Sequence, residues 1–375
     1  MMNSVQLSRE QLQAGHRPLM SFSLQFIQFL DEQGNWVAPR PDFATDDWLI
    51  KAYQYMVLNR VFDQKAIALQ RTGKMGTYPS SLGQEAFGIA IGMSLHKDDV
   101  FVPYYRDHGA LLLRGHVLED LLAYWGGDER GSATGPKQDF PVCVPIATQV
   151  THAAGAAAAL KIKGQDNVAM VTIGDGGTSK GDFFEALNVA GAWQLPMIVL
   201  VNNNQYAISV PRDIQCGAPT LAQKAIGAGI HGVQVDGNDI MAMYQAILEA
   251  RHRANEHKGA TLIEAMSYSL CDHTTADDAS RYRPSEEVKQ AWEKDPVKRL
   301  QTLLVSLDLW SPDKEQTWQS ECAKKIDAAV QAYLNRTPDT PESMFDYLYA
   351  EWPEVMNEQL DLLMDKVNRM HSDQH

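Results

Sequence analysis

Between residues 168 and 206 the chain carries four structural signals in succession, and they leave few folds open. Val168–Ile173 is an apolar run of strand length, Gly174–Gly177 is a glycine-rich turn, Asp182–Trp193 has a helical pattern, and Met197–Val201 is a second wholly apolar strand. Strand, helix and strand at this spacing form a βαβ unit, and strands without polar alternation belong to a buried parallel sheet. The fold class is therefore α/β. A helix runs from Asp46 through Leu49, Tyr53, Met56, Val57 and Val61, spaced i, i+3, i+4. Gly83–Leu95, His152–Lys161 and Ile240–Ala254 are further helices, and the small residues of the first would let helices approach closely. Thr261–Ala265 is a strand, Asp272–Arg283 a polar loop, and Ser285-Glu286-Glu287 opens another helix with acids in its first turn.

Composition removes whole classes of function. Thirty-three Lys+Arg against 47 Asp+Glu give a net charge of −14, and no basic run is present, so nucleic acid is not expected as a partner. Hydrophobic residues make up 45%, too many for a disordered chain. Cys143, Cys216, Cys271 and Cys322 are far apart, which suits a reducing compartment and excludes a cysteine-built metal framework. Met1–Gly15 has no apolar core of a secretory signal, and no apolar run reaches membrane-spanning length. The expectation is a cytoplasmic chain with helical N- and C-terminal extensions: 1–43 before an α/β domain over 44–340, and a helical tail over 341–375, the chain after about residue 290 reading as helical, acidic and packed on the main domain.

The turn Gly174-Asp175-Gly176-Gly177 lies at the carboxyl end of a parallel strand, where open α/β sheets bind ligands. The mononucleotide pattern fails, because Asp182 stands after Gly181 where Lys is required. The dinucleotide pattern fails too, with Ser179 in place of its third glycine. Asp175 also argues against both, since a carboxylate repels a pyrophosphate unless a divalent cation lies between them. Mg²⁺ fits that place: it takes six oxygens and bridges carboxylates to phosphates. The plainer alternative is a tight turn with Asp175 capping the next helix. Against it stands Asn202-Asn203-Asn204-Gln205-Tyr206, which follows the next parallel strand and so shares the rim, with 26 residues between Gly176 and Asn203.

The stretch from Gly174 to Ser209 resembles the thiamine diphosphate motif. Its setting is similar to the alpha subunit of the decarboxylating component of 2-oxo acid dehydrogenase complexes. The likeness spans about residues 40–340 and includes Phe101–Gly109, Gln215–Asp239 and Asp272–Arg283. It implies the thiamine-diphosphate-binding fold, a parallel sheet with helices on both faces, and thiamine diphosphate with Mg²⁺ as cofactors. Asp175, the Asn204 side chain and the Tyr206 carbonyl would be the metal ligands. Gly174, Gly176 and Gly177 would let the backbone approach the cofactor. Tyr105 and Arg106 would bind the diphosphate, and Val144 and Ile146 would hold the aminopyrimidine through backbone atoms. His273 would bind the cofactor and serve as the catalytic proton donor, with Asp277, Asp278, Arg281 and Arg283 ordering its loop by ion pairing. His152 has no functional counterpart and reads as structural. The stretch 126–141 holds no histidine, so no second catalytic histidine is assigned.

The resemblance further implies oxidative decarboxylation of a 2-oxo acid and acyl transfer to a lipoyl group. Pyruvate is the expected substrate, and branched-chain 2-oxo acids or acetoin are the alternative. A separate beta subunit would supply the carboxylate that activates the cofactor, giving an α₂β₂ heterotetramer that docks on a lipoyl-bearing acyltransferase component. Two other classes compete. A non-catalytic scaffold would not need Asp175, Asn204, Arg106 and His273 intact. A nicotinamide dehydrogenase fails on Asp175 and the absent third glycine.

Overall fold

In the computed structural model of the protein, which describes residue 16 and residues 19–372, eight strands follow one another. They are β1 (Phe26–Ile27), β2 (Val100–Val102), β3 (Ala169–Gly174), β4 (Met197–Asn203), β5 (Tyr206–Ala207), β6 (Val210–Pro211), β7 (His231–Asp236) and β8 (Thr261–Met266). Six form one sheet in the order β1–β7–β8–β4–β3–β2, and every pairing in it is parallel. β5 and β6 make a separate antiparallel ribbon just after β4.

The apolar strands have no polar alternation because both of their faces are buried. Met170, Ile198 and Leu200 join the core on one face, while Ala169, Val171, Ile173, Met197, Val199 and Val201 join the core on the other. Helices Thr148–Ile162 and Gly181–Ala192 pack together on the second face. On the first, Ile240–Asn255 lies on β7 and β8, and Glu85–Ser94 packs against that helix. Glu85–Ser94 crosses His108–Leu113 closely: a Cβ on Gly92 would stand 2.6 Å from Leu113 Cβ. Outside these lies Asp46–Arg71, capped by the Thr45 hydroxyl on the Trp48 N–H and carrying Asp46 and Asp47 in its first turn. Pro296–Ser306 and Pro312–Leu334 pack along it.

Three features differ from the sequence expectation. β2 and β7 are additional strands; β7 alternates around Val233 and Val235, and β2 is only three residues long. The segment before residue 44 is not helical among the described residues; its alternating apolar run instead adds an edge strand, with Phe26 and Ile27 pairing with Gln234 and Val235. Asp239 secures it by accepting the Phe29 and Leu30 N–H groups at 2.7 Å each. At the other end, the helical chain after residue 290 packs on the body through Pro296–Ser306 and Pro312–Leu334 as expected, but its last part, the turns Pro341–Phe345 and Glu354–Met356 and the helix Asn357–Ser372, packs mainly on itself. Residues 1–15, on which the signal-peptide reading rests, lie outside the described residues. Among the described residues no helix is long and apolar enough to cross a membrane.

Candidate active site

Parallel pairing of β3 with β4 sets Gly174 opposite Asn202, so the glycine turn and the asparagine cluster leave the sheet side by side. Two of the asparagines are consumed by contacts around the sheet. Asn202 donates to Gln84 Oε1 and to the Tyr104 hydroxyl, both at 2.8 Å, and accepts from Ser267 Oγ at 2.6 Å. Asn203 donates to Glu264 Oε1 at 2.7 Å. Asn204 is left to face Asp175.

Asp175 is buried and precedes the short turn Gly176–Ser179, yet its carboxylate makes no cap hydrogen bond there. The capping alternative therefore fails. Its Oδ2 has no partner at all. The Asn204 carboxamide oxygen lies 3.2 Å from Asp175 Oδ1 and 3.0 Å from the Tyr206 carbonyl oxygen. With its oxygen on this side, Asn204 stands from each of the two at a separation close to the edge of a Mg²⁺ octahedron, about 2.9 Å for bonds of about 2.1 Å, and the orphaned Asp175 Oδ2 lies beside them. Turning the Asn204 amide over would let it donate to both oxygens, but Asp175 Oδ2 would stay unpaired. Burial pushes the Asp175 carboxyl up to about 6, against backbone N–H groups that pull it down. A cation would offset that burial cost.

Of the glycines around Asp175, Gly176 and Gly177 are sterically constrained, whereas a Cβ on Gly174 would meet nothing within 4 Å. A Cβ on Gly176 would lie 2.6 Å from Ala207 Cβ, and one on Gly177 would lie 2.6 Å from Ile173 Cγ1. Gln215 donates to the Asp175 carbonyl at 3.1 Å and holds the turn from outside.

His273 reaches this rim from the long loop after β8. Arg106 Nη2 donates to its Nδ1 at 2.9 Å and to its carbonyl oxygen at 2.6 Å, while Nη1 holds the Ser80 carbonyl at 2.6 Å. An Nδ1 that accepts from a guanidinium carries no proton, so the assigned tautomer is Nε2–H. Burial, then the Arg106 cation, holds the His273 imidazolium down at about 4, so the ring is neutral at physiological pH. The loop is ordered otherwise than expected: none of Asp277, Asp278, Arg281 and Arg283 forms an ion pair among the described residues. Asp277 instead accepts the His273 N–H at 3.1 Å and the Tyr282 hydroxyl, and Asp278 caps the turn Ala279–Arg281. Buried Arg283 donates to the carbonyls of Ser269 and Cys271 at 2.8 and 2.9 Å.

A cavity of about 240 Å³ joins these parts, lined by Tyr105, Ile146, Gly174 to Gly177, Asn204, Tyr206 and His273. Arg106 is not in its wall, since its guanidinium is turned to Ser80 and His273, and the Val144 side chain is half-exposed and also outside it. His152 is exposed and stacks on Phe140 at 5.8 Å. The sequence does not single out Gln149, which lines the cavity, donates to the Thr172 carbonyl at 3.0 Å and leaves its oxygen unpaired. Nor does it single out Gln84, which accepts from Asn202, or Gln215, which holds the Asp175 carbonyl. No periodicity or spacing marks a lone glutamine, so these emerge only when the strands are paired.

Residues 53–342 match the family described as the dehydrogenase E1 component. A Staphylococcus epidermidis protein named pyruvate dehydrogenase E1 component subunit alpha is 39% identical over 350 residues, covering 92% of this chain and 94% of that protein. A Staphylococcus aureus protein of the same name is 40% identical with the same coverage.

Proposed function

The chain belongs to the dehydrogenase E1 component family, and we propose that it is the alpha half of a two-chain enzyme that oxidatively decarboxylates pyruvate and passes the acyl group to lipoyl. The observation that carries this reading is the oxygen cluster of Asp175, Asn204 and Tyr206 beside a cavity that also holds a neutral His273. The names of the relatives support pyruvate over branched-chain 2-oxo acids or acetoin.

Asp175 Oδ1, the Asn204 oxygen and the Tyr206 carbonyl would hold Mg²⁺, which would in turn hold the diphosphate of thiamine diphosphate. That cofactor, when bound, supplies the nucleophilic carbon and the electron sink that decarboxylation needs. The backbone at Gly174, Gly176 and Gly177 gives the diphosphate room, and Tyr105 and Arg106 stand at its flank; Arg106 would have to share its guanidinium with His273. Backbone atoms of Val144 and Ile146 would hold the aminopyrimidine. His273 offers its Nε2 proton to the substrate oxygen that gains charge, and Arg106 fixes the tautomer that makes this possible. The α/β domain over 44–340 provides these residues, with 1–43 and 341–375 as extensions. A companion beta chain would supply the carboxylate that activates the aminopyrimidine, in an α₂β₂ tetramer acting in the bacterial cytoplasm and docking on a lipoyl-bearing acyltransferase.

The test is co-expression with the candidate beta chain. Reduction of an artificial acceptor is followed with pyruvate and with 3-methyl-2-oxobutanoate, with and without thiamine diphosphate and Mg²⁺. Cofactor-dependent turnover of pyruvate is the expected result. Preference for the branched acid would overturn the substrate, and a folded tetramer that binds no cofactor would overturn the reading.

A further inference from the structure

The side chain of Tyr206 is held at its far end. Its carbonyl belongs to the oxygen cluster, but its hydroxyl donates to Glu287 Oε2 at 3.0 Å, on the helix Ser285–Trp292. Glu287 Oε1 accepts the Tyr268 hydroxyl, also at 3.0 Å. Between the two phenol rings sits the Arg283 guanidinium, 4.8 Å from the Tyr206 ring centre and 5.6 Å from that of Tyr268. One carboxylate thus ties together the turn after β4, the segment after β8 and the helix that follows the His273 loop.

This arrangement sets the metal cluster from outside. The Tyr206 backbone follows Gln205, whose φ of 75° places that turn in a left-handed conformation costly for a residue with a Cβ. Such a turn keeps its shape only when surrounding contacts fix it: the Arg212 N–H donates to the Gln205 carbonyl at 2.9 Å, Tyr206 pairs with Pro211, and the anchored phenol adds a long lever from outside. A carbonyl displaced by a few tenths of an ångström is poorly placed for Mg²⁺, which demands near-ideal octahedral geometry. We propose that Glu287 is a positioning residue for the metal site: by holding the Tyr206 hydroxyl it fixes the Tyr206 carbonyl and so sets the affinity for Mg²⁺. Through Tyr268 and Arg283, the same carboxylate ties the metal turn to the loop that carries His273. Glu287 itself touches neither metal nor substrate. The inference rests on the metal reading proposed above.

The test uses the co-expressed two-chain complex, titrated with MgCl₂ at saturating thiamine diphosphate and followed by protein fluorescence rather than turnover. Glu287→Ala should raise the apparent Mg²⁺ dissociation constant about tenfold, and Tyr206→Phe should do the same. The double variant should stay near tenfold instead of reaching about a hundredfold, because both changes break one linkage. Glu287→Gln, which keeps a hydrogen-bond acceptor, should recover most of the loss; it also serves if the alanine variant fails to fold. A Mg²⁺ constant within twofold of wild type in Glu287→Ala would overturn the proposal, and so would multiplying effects in the double variant. Wild-type complex that binds thiamine diphosphate without needing Mg²⁺ would overturn both the metal reading and this inference. Normal wild-type binding with indifferent variants would overturn this inference alone.

Discussion

Asp175 Oδ1 and the Asn204 carboxamide oxygen lie 3.2 Å apart with no donor between them, on turns that leave two directly paired strands. With the Asn204 oxygen on this side both atoms are acceptors, and the carboxylate is buried, so their closeness is unfavourable until a cation intervenes or the amide turns over to donate. Replacing Asp175 by Asn removes the charge at nearly constant volume. Mg²⁺-dependent binding of thiamine diphosphate to the two-chain complex should fall at least about a hundredfold, roughly 2.7 kcal/mol. The thermal midpoint without cofactor should not fall, because a buried carboxylate has been replaced by a neutral amide. Titration and calorimetry on one sample check both halves. Undiminished binding would show that Asp175 holds no metal.

Arg106 and His273 make a second testable pair. The guanidinium bonds the imidazole Nδ1 directly and helps hold its protonation down to about 4. In Arg106→Met the largest coulombic part of that depression disappears, leaving burial, with Asp277 raising the titration and Arg283 lowering it by less. The His273 titration should therefore move upward, toward the ordinary value near 6.5. Nitrogen-labelled imidazole spectra recorded against pH would show it. Arg106→Lys keeps a charge but not the fork that meets both Nδ1 and the carbonyl, so it should restore only part of the depression. An unmoved titration in Arg106→Met would mean that burial alone sets it.

The β3–helix–β4 unit is legible in the sequence because an unbroken apolar strand has few other uses, and the motif between Gly174 and Tyr206 lies within one stretch of chain. Chain order alone therefore puts Asp175, Asn204 and Tyr206 on one rim. β7 does not read as a strand, although Val233 and Val235 alternate, because His231 and Gly232 begin it weakly. Gln149 and Glu287 lie beyond reach for a different reason. Their importance comes from contacts with residues 23 and 81 positions away, Thr172 and Tyr206, and no local pattern records such a pairing. The same limit explains why Arg283 reads as an ion-pair partner: composition shows charges nearby but not the three tyrosine rings that surround it.

His108 predicts how stability responds to acid. It is fully buried, accepts the Trp125 indole N–H at 2.9 Å, and stacks on Tyr78 at 5.0 Å. Burial, then Arg106, lowers its protonation to about 3. As pH falls, the unfolded chain takes up this proton near 6.5 while the folded chain does not until about 3. The contribution is therefore complete above 6.5 and is lost progressively between 6.5 and 3, by up to about 1.4 kcal/mol per pH unit. Between pH 7.5 and 5, wild type should lose roughly 1–2 kcal/mol more unfolding free energy than His108→Gln. Denaturant titrations at the two pH values measure this, and equal losses would show that His108 is protonated in the fold.

Gly176 couples the glycine turn to the Tyr206 turn by contact alone. A methyl group at residue 176 would stand 2.6 Å from Ala207 Cβ, and Ala207 directly follows Tyr206. Both turns are backbone, so relieving the overlap means moving one away from the other, which separates Asp175 from the Tyr206 carbonyl. Gly176→Ala should cost about 1–3 kcal/mol in stability, as overpacking does. It should also weaken Mg²⁺-dependent cofactor binding more than that loss would account for. Ala207→Gly removes the opposing Cβ and leaves the residue 207 Cα at 3.3 Å and Gln215 Nε2 at 3.8 Å as the nearest atoms, so the double variant should regain most of both properties. Recovery of stability without recovery of cofactor binding would mean that residue 176 must be glycine for the cofactor's own approach, not for the spacing of the two turns.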